Sequence, residues 1–336
     1  MPRSIAYIQA VNEALHIAME SDPDVICMGE DIAGGGGRGD QGIEDAWGGI
    51  MGATRGLIGC FGSERVLDTP ISEIGFLGTA VGAAATGLRP VVELMFMDFI
   101  GVALDPLLNQ AAKLRYMFGG KVRVPLTVRT SMGAGASAAA QHSQTLYGLT
   151  TAIPGLKTVC PATPGDAKGL LLTAIRDDSP VVFCEPKSLM FHSGEVPEGD
   201  YEIPLGEAAV AREGSDVSLV GIGRTVHTAL EAAETLEGTG VSAEVLDLRS
   251  LQPMDEEAIL ASLEKTGRLV VVDEATPRCG IASDVAALCV DRGFDLLNAP
   301  VKKVTAPHSP VPFSPALEPH FIPDAERVVR AVRELL

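Results

Sequence analysis

Aromatic residues are scarce in this sequence, at 4% of 336 residues with a single tryptophan. A chain so poor in large rings builds its core from small and aliphatic side chains. Hydrophobic residues make up 46% and glycine occurs 37 times, which suits helix and sheet layers packed at close approach. Positive charge is short as well: 26 Lys+Arg stand against 44 Asp+Glu, a formal net charge of −18. Such a surface repels phosphate backbones and no basic stripe interrupts it, so nucleic acid is not expected as a partner. The six cysteines (Cys27, Cys60, Cys160, Cys184, Cys279 and Cys289) form no CxxC pair, and most lie in apolar runs such as Val159-Cys160 and Phe183-Cys184. They read as buried, reduced thiols. The longest apolar stretch, residues 74–88, is about 15 residues, short of the roughly 20 that span a bilayer. Met1-Pro2-Arg3-Ser4 runs directly into a helical pattern with no signal peptide. A cytoplasmic protein with no membrane segment is expected.

Several catalytic signatures are missing too. There is no P-loop, no HExxH and no GxSxG. Gly221-Ile222-Gly223 follows a strand pattern and opens a helix, but Val226 stands where a dinucleotide fingerprint needs its third glycine.

What is present is alternation of helix and strand. A helix is expected over Tyr7 to Ser21, a strand over 25–28, and then a long glycine-rich connection over 29–63. Strands at 65–68, 90–96, 124–129, 156–160 and 180–184 alternate with helices at about 72–86, 100–118, 142–153 and 163–176. Apolar, β-branched strands separated by helices predict a mostly parallel sheet covered on both faces. The Pro- and Gly-rich stretch before residue 206 reads as a linker. A second α/β unit follows, with strands at 217–220, 243–247, 269–272 and 301–304 and helices at about 225–237, 255–265, 281–291 and 324–335. The expected domains are 1–190 and 206–336, joined by a linker at 191–205.

The richest chemistry lies between Arg65 and Phe99. Asp68-Thr69-Pro70-Ile71-Ser72 leads into a helix whose first turn holds Glu73. An acid there is favoured by the helix dipole, and Pro before it costs nothing, so Glu73 is at least a well-placed helix-start glutamate. The helix after it, Ile74 to Ala85, carries no charge at all. A helix apolar on every face is expected to be buried all round, which would desolvate Glu73 and suit it to proton chemistry. Its glycines each cost about 1 kcal/mol relative to alanine, a cost that close approach of another helix or subunit would offset.

The runs Gly29-Glu30-Asp31, Val66 to Glu73, Arg89-Pro90-Val91-Val92-Glu93, Ala139 to Gln144, Ile153-Pro154-Gly155-Leu156-Lys157 and Asp166 to Leu171 occur in one order along the chain. Together they resemble the β subunit of 2-oxo acid dehydrogenase decarboxylating components, which are thiamine-diphosphate enzymes built from α and β chains. Residues 42–49 and 305–314 resemble the acetoin-cleaving branch of that family more than its pyruvate or branched-chain 2-oxo acid branches.

The resemblance implies a transketolase-like α/β fold: a parallel-sheet domain that binds the pyrimidine ring, then a C-terminal transketolase-type α/β domain. It also implies roles. Glu73 matches the glutamate that hydrogen-bonds a pyrimidine nitrogen of thiamine diphosphate, so that the cofactor's amino group can deprotonate the thiazolium carbon. Phe99 matches the aromatic against that ring, and Ile71 and Met95 match wall positions; taken by themselves, all three read equally as core packing. His142, with Gln141, Ser143 and Gln144, forms a polar cluster at an expected helix start. It matches the family histidine that handles substrate protons, although alone it could be a capping or hydrogen-bonded group. A potassium site would use Leu126, Ala174, Ile175, Asp177 and Ser179, mostly through carbonyls, with Ser179 standing where some relatives have asparagine.

The Mg²⁺-diphosphate motif, Gly-Asp-Gly with a distal asparagine, does not occur: Gly39-Asp40-Gln41-Gly42 is not it, Asn109 is too remote, and Asp31 and Asp40 read as loop charges. The α subunit is then expected to bring Mg²⁺ and the diphosphate half of the site. An α2β2 heterotetramer docked on a dihydrolipoyl acyltransferase core follows from the resemblance. Two other readings stay open: the same machine acting on pyruvate or a branched-chain 2-oxo acid, and a non-catalytic scaffold subunit that keeps the fold.

Overall fold

The computed structural model describes residues 3–34 and 48–336. Residues 42–47 of the 42–49 motif, Gly35, Gly36, Gly37 and Asp40 lie outside the described residues.

The chain opens with β1 (Arg3–Ala6) and α1 (Tyr7–Ser21). Tyr7, Val11, Ala14, Leu15 and Ala18 recur at helical spacing and are buried, and this stripe packs on α6 (Pro164–Arg176). Between them lie β2 (Val25–Gly29), α2 (Leu57–Phe61), β3 (Val66–Asp68), α3 (Glu73–Ala85), β4 (Arg89–Phe96), α4 (Ala112–Met117), β5 (Thr127–Met132), α5 (Tyr147–Thr151) and β6 (Lys157–Val159). Then come β7 (Val181–Pro186) and β8 (Ser193–Val196). The second unit holds β9 (Ala209–Arg212), β10 (Val217–Gly221), α7 (Arg224–Glu237), β11 (Ala243–Asp247), β12 (Ser250–Gln252), α8 (Glu256–Thr266) and β13 (Leu269–Asp273). It ends with α9 (Ile281–Arg292), β14 (Lys302–Thr305), α10 (Glu318–Phe321) and α11 (Ala325–Arg333).

A seven-stranded sheet runs β12-β6-β7-β5-β4-β2-β3 and a five-stranded one runs β14-β13-β10-β11-β9. Both are parallel except at β12 and β9. The central strands β2, β7 and β13 are buried and mostly apolar, as a sheet covered on both sides requires.

Within the linker expected at 191–205, β8 forms and pairs antiparallel with β1. The two units also interlock: β12, from the second, pairs with β6 of the first, and one hydrophobic cluster joins Cys160 and Val182 to Val220, Leu246 and Ile259. Several expectations are corrected. The helix expected over 100–118 is broken into a 3₁₀ turn at Met97–Gly101, a π-helical segment at Pro106–Ala111 and α4. Pro106 starts the middle piece, where its missing N–H costs least. The helix expected from His142 shrinks to α5. Upstream of it the backbone is drawn off by tertiary partners: Lys187 Nζ bonds the His142 carbonyl, and the Asp98 carboxylate accepts the Gln144 N–H. The supposed connection over 29–63 contains α2. Finally, Cys60 and Cys279 are exposed, while the other four thiols are buried and all six are free.

Within this chain α3 is not buried all round. Phe76, Leu77, Ala80, Val81 and Ala84 face the core, whereas Ile74, Gly75, Gly78, Thr79 and Gly82 are exposed. A side chain at Gly78 or Gly82 would meet no atom of the chain within 4 Å. These glycines leave space for something outside the chain.

Candidate active site

Ligand sites of parallel sheets form beyond the carboxyl ends of the strands, and the expected catalytic and cofactor-binding residues hang from that one edge. Glu73 follows β3, Glu30 follows β2, Met95 and Phe99 sit at the end of β4, His142 lies on the loop after β5, and Lys187 follows β7. Glu73 hangs from the edge strand β3 and His142 from β5, with β2 and β4 between them in the sheet.

Glu73 is the first residue of α3, half-buried, behind an N-cap Ser72 that makes no side-chain cap bond. The turn that carries it is tied down on both sides: Thr69 donates to the Gly29 carbonyl at 2.9 Å, and the Asp68 carboxylate accepts the Ala33 N–H at 2.7 Å. No described residue pairs with the Glu73 carboxylate. Glu30 lies within its field. Burial pushes the Glu30 carboxyl up, with Glu73, then Asp31 and Glu93, adding to the effect. Sequence reasoning used Glu30 only as part of a motif; its place beside Glu73 comes from the parallel pairing of β2 with β3.

The β4–β5 register shifts between Leu94 and Phe96, making Met95 an extra, half-buried residue that turns out of the ladder. Phe96 follows, and the 3₁₀ turn after it presents Asp98 and Phe99. Phe96 and Phe99 meet edge-on with centroids 5.7 Å apart, and both meet the His142 ring in the same way, at 4.9 and 5.4 Å. The fold thus brings Phe99 and His142 together, with Phe96, which the sequence did not single out, between β4 and them. Asp98 Oδ1 accepts from Gln144 N at 3.2 Å and Nε2 at 2.8 Å. Ile71 is 85% exposed, so it walls nothing within this chain.

Behind this edge sits a buried ionic triad. Arg129 donates from Nη1 to Glu93 at 2.9 Å and, in a bidentate fork, from Nε and Nη2 to Glu185 at 2.7 and 3.0 Å. Burial alone would lower the arginine's affinity for its proton, but Glu185 and Glu93 outweigh it and hold the cation. The triad clamps β4, β5 and β7 just beneath the loops that carry Phe99, His142 and Lys187.

The five expected potassium ligands gather where α6 ends beside β5 and β7. Their oxygens already have partners. Leu126 O accepts the Val181 N–H at 2.9 Å, Ala174 O the Asp177 N–H at 3.3 Å, and Ile175 O the Arg89 guanidinium at 3.3 Å. The Asp177 carboxylate pairs with Lys157 and accepts the Ser179 N–H at 2.8 Å.

With this geometry in view, the chain matches the transketolase pyrimidine-binding domain over residues 3–192 and the transketolase C-terminal domain over residues 206–328. A split-gene transketolase described as an inactive β4 tetramer superposes with a TM-score of 0.78 at 24% identity, covering 99% of this chain and 98% of that one; this likeness concerns the fold. The fold and the strand-end site thus define a transketolase-type α/β protein. At the sequence level it is 58% identical to the β subunit of acetoin:2,6-dichlorophenolindophenol oxidoreductase from Bacillus subtilis and 54% identical to that from Cupriavidus necator. Each match covers 100% of this chain and 98% of the relative. The β subunit of the pyruvate dehydrogenase E1 component from Bacillus subtilis is 43% identical over 98% of both chains. This chain belongs to the family of dehydrogenase-component β subunits that these relatives represent.

Proposed function

We propose that the chain is the β subunit of a thiamine-diphosphate-dependent acetoin dehydrogenase, active with an α subunit. The observation that carries the chemistry is the Glu73 carboxylate, set at a helix start on the strand-end edge with no partner among the described residues. The acetoin reading is supported by identities of 58% and 54%, against 43% for a pyruvate dehydrogenase relative.

The residues fit the pyrimidine half of the cofactor. A carboxylate with no partner among the described residues, the aromatic Phe99 and the bulged Met95 share one edge, and exposed Ile71 stands in the turn before Glu73. Glu73 would hydrogen-bond a ring nitrogen and move a proton there, Phe99 would lie against the ring, and Met95 and Ile71 would close its sides. His142 would hold or take the proton on the substrate's hydroxyl or carbonyl oxygen. When bound, thiamine diphosphate supplies the nucleophilic carbon that splits acetoin, releasing acetaldehyde and passing an acetyl unit to oxidised lipoamide, which is reduced as it accepts it. The diphosphate and its Mg²⁺ would be held by the α subunit in an α2β2 assembly on a dihydrolipoyl acyltransferase core, and the bare glycine face of α3 is suited to such a partner. Six free thiols suit the cytoplasm. Potassium takes no part in this reading, since the guanidinium of Arg89 contacts the carbonyls of Ile175, Arg176 and Asp177.

The test is reconstitution with the α subunit and an assay with 2,6-dichlorophenolindophenol as acceptor. Acetoin should be turned over far better than pyruvate or a branched-chain 2-oxo acid; the reverse order overturns the substrate. Glu73→Gln keeps size and removes the acid, and should cut turnover by about 10²–10⁴-fold in an intact assembly. Near-normal activity in that variant would make the chain a scaffold.

A further inference from the structure

Lys187 is 6% exposed, in a 3₁₀ turn at the end of β7. Its ammonium donates to the backbone carbonyl of His142 and stands 5.2 Å from the centre of the Phe96 ring, which itself packs edge-on against the His142 imidazole. Burial pulls its proton affinity down, and Asp98, Glu274 and Glu318 oppose that pull. One hydrogen bond is a poor return for desolvating a full charge, so stability is a weak reason for a lysine here. Geometry is a better one. The His142 segment makes no helical bonds of its own and is fixed from three sides: Lys187 at the carbonyl of His142, Asp98 at Gln144, and the Phe96–Phe99 pair at the ring. β7 is itself rigid, since Glu185, two residues earlier, is locked to Arg129.

We infer that Lys187 is a positioning residue for the reaction: through the His142 carbonyl and the Phe96 ring it fixes where the imidazole of His142 stands. The inference rests on the proton-handling role of His142 given above. Lys187 acts on substrate only through that histidine. A lysine suits the task because its compact, tetrahedral head can serve a carbonyl and an aromatic face together.

The experiment is a double-mutant cycle on the reconstituted αβ enzyme, reading kcat, KM for acetoin and melting temperature for Lys187→Met, His142→Ala and the double variant. Misplacing a reacting group by about 1 Å can cost about 10²-fold, so Lys187→Met should lower kcat by about that factor. Its KM should stay within about three-fold of the parent, since ground-state binding is untouched. Because Lys187 works through His142, adding Lys187→Met to His142→Ala should cost less than about two-fold more. If the two effects multiply in the double variant, Lys187 does not act through His142 and the inference falls. It falls equally if His142→Ala is slow while Lys187→Met is not, and in that case the role of His142 stands. Full activity in His142→Ala removes that role and the inference with it. Should Lys187→Met fail to assemble, Lys187→Gln, which keeps an N–H donor, enters the same cycle with the same coupling expected.

Discussion

Replacing Arg129 by methionine removes the one cation between two buried carboxylates. The side chains of Arg129, Glu93 and Glu185 are 2%, 8% and 3% exposed, so water cannot take over from the guanidinium. Breaking one buried ion pair by deleting a partner costs about 3–5 kcal/mol. Here one deletion strands two acids, which places the loss at the upper end of that range or beyond. A chain of 336 residues, at about 2.1 cal/mol/K each, has an unfolding entropy of roughly 0.7 kcal/mol/K, so about 5 kcal/mol lowers the melting midpoint by about 7 °C. The sign of the pH dependence follows from burial, which already pushes the Glu185 carboxyl up against the pull of Arg129. Without Arg129 it rises further. An acid with a raised folded pKa costs nothing at low pH, where both states are protonated, and costs most above its folded pKa. The deficit of Arg129→Met should therefore be largest at pH 8 and shrink toward pH 5. Arg129→Met/Glu93→Gln/Glu185→Gln, with no stranded charge, should regain much of it. Circular-dichroism melts of the three proteins at both pH values decide the matter. A variant that melts within 1 °C of the parent (about the resolution of the shift-to-energy conversion), or one whose deficit ignores pH, refutes the reasoning.

Burial, with Asp166 adding to it, pushes the Asp247 carboxyl up to about 8. The folded protein therefore loses stability as pH rises toward 8, and Asp247→Asn should raise the melting temperature more at pH 8 than at pH 5; a fall at pH 8 would contradict this. Gly82→Leu adds a side chain where the chain itself offers no neighbour. The isolated variant should keep its circular-dichroism spectrum and melt unchanged or higher, yet fail to co-purify with the α subunit; normal assembly would show that this face of α3 stays uncovered. Exchanging potassium for sodium should move the melting temperature by less than about 1 °C, because Arg89 already holds the end of α6; a rise of several degrees in potassium would restore the metal site.

Elements whose signal is local were legible in the sequence. The helices at 7–21 and 163–176, with the Thr163 hydroxyl capping the latter, appear where periodicity and cap put them. So do the buried strands, since an apolar β-branched run between helices has few other places to go. Glu73 was legible as a helix-start acid for the same reason. Phe99 and His142 were named from the family's pattern, and the fold brings their rings together. What could not be read were features that exist only between distant segments. The pairing of β1 with β8 turned an apparent linker into sheet, and β12 crossed from one unit to close the other. Short strands of three or four residues carry too little periodicity to declare themselves.

The sequence by itself therefore determined the alternating α/β order, the acid that heads α3 and a charge balance hostile to nucleic acid, because each depends on residues adjacent in the chain. Tertiary structure alone decided that Met95 bulges, that Lys187 reaches the carbonyl of His142 and that Arg129 locks Glu93 to Glu185. The physical reason is the parallel sheet. It gathers the ends of β2, β3, β4, β5 and β7 at one edge, although they lie up to about 160 residues apart in the sequence. No local pattern encodes which of those loop residues will meet there. The same edge explains Glu73: local sequence makes it a helix start, and the sheet makes it part of a site.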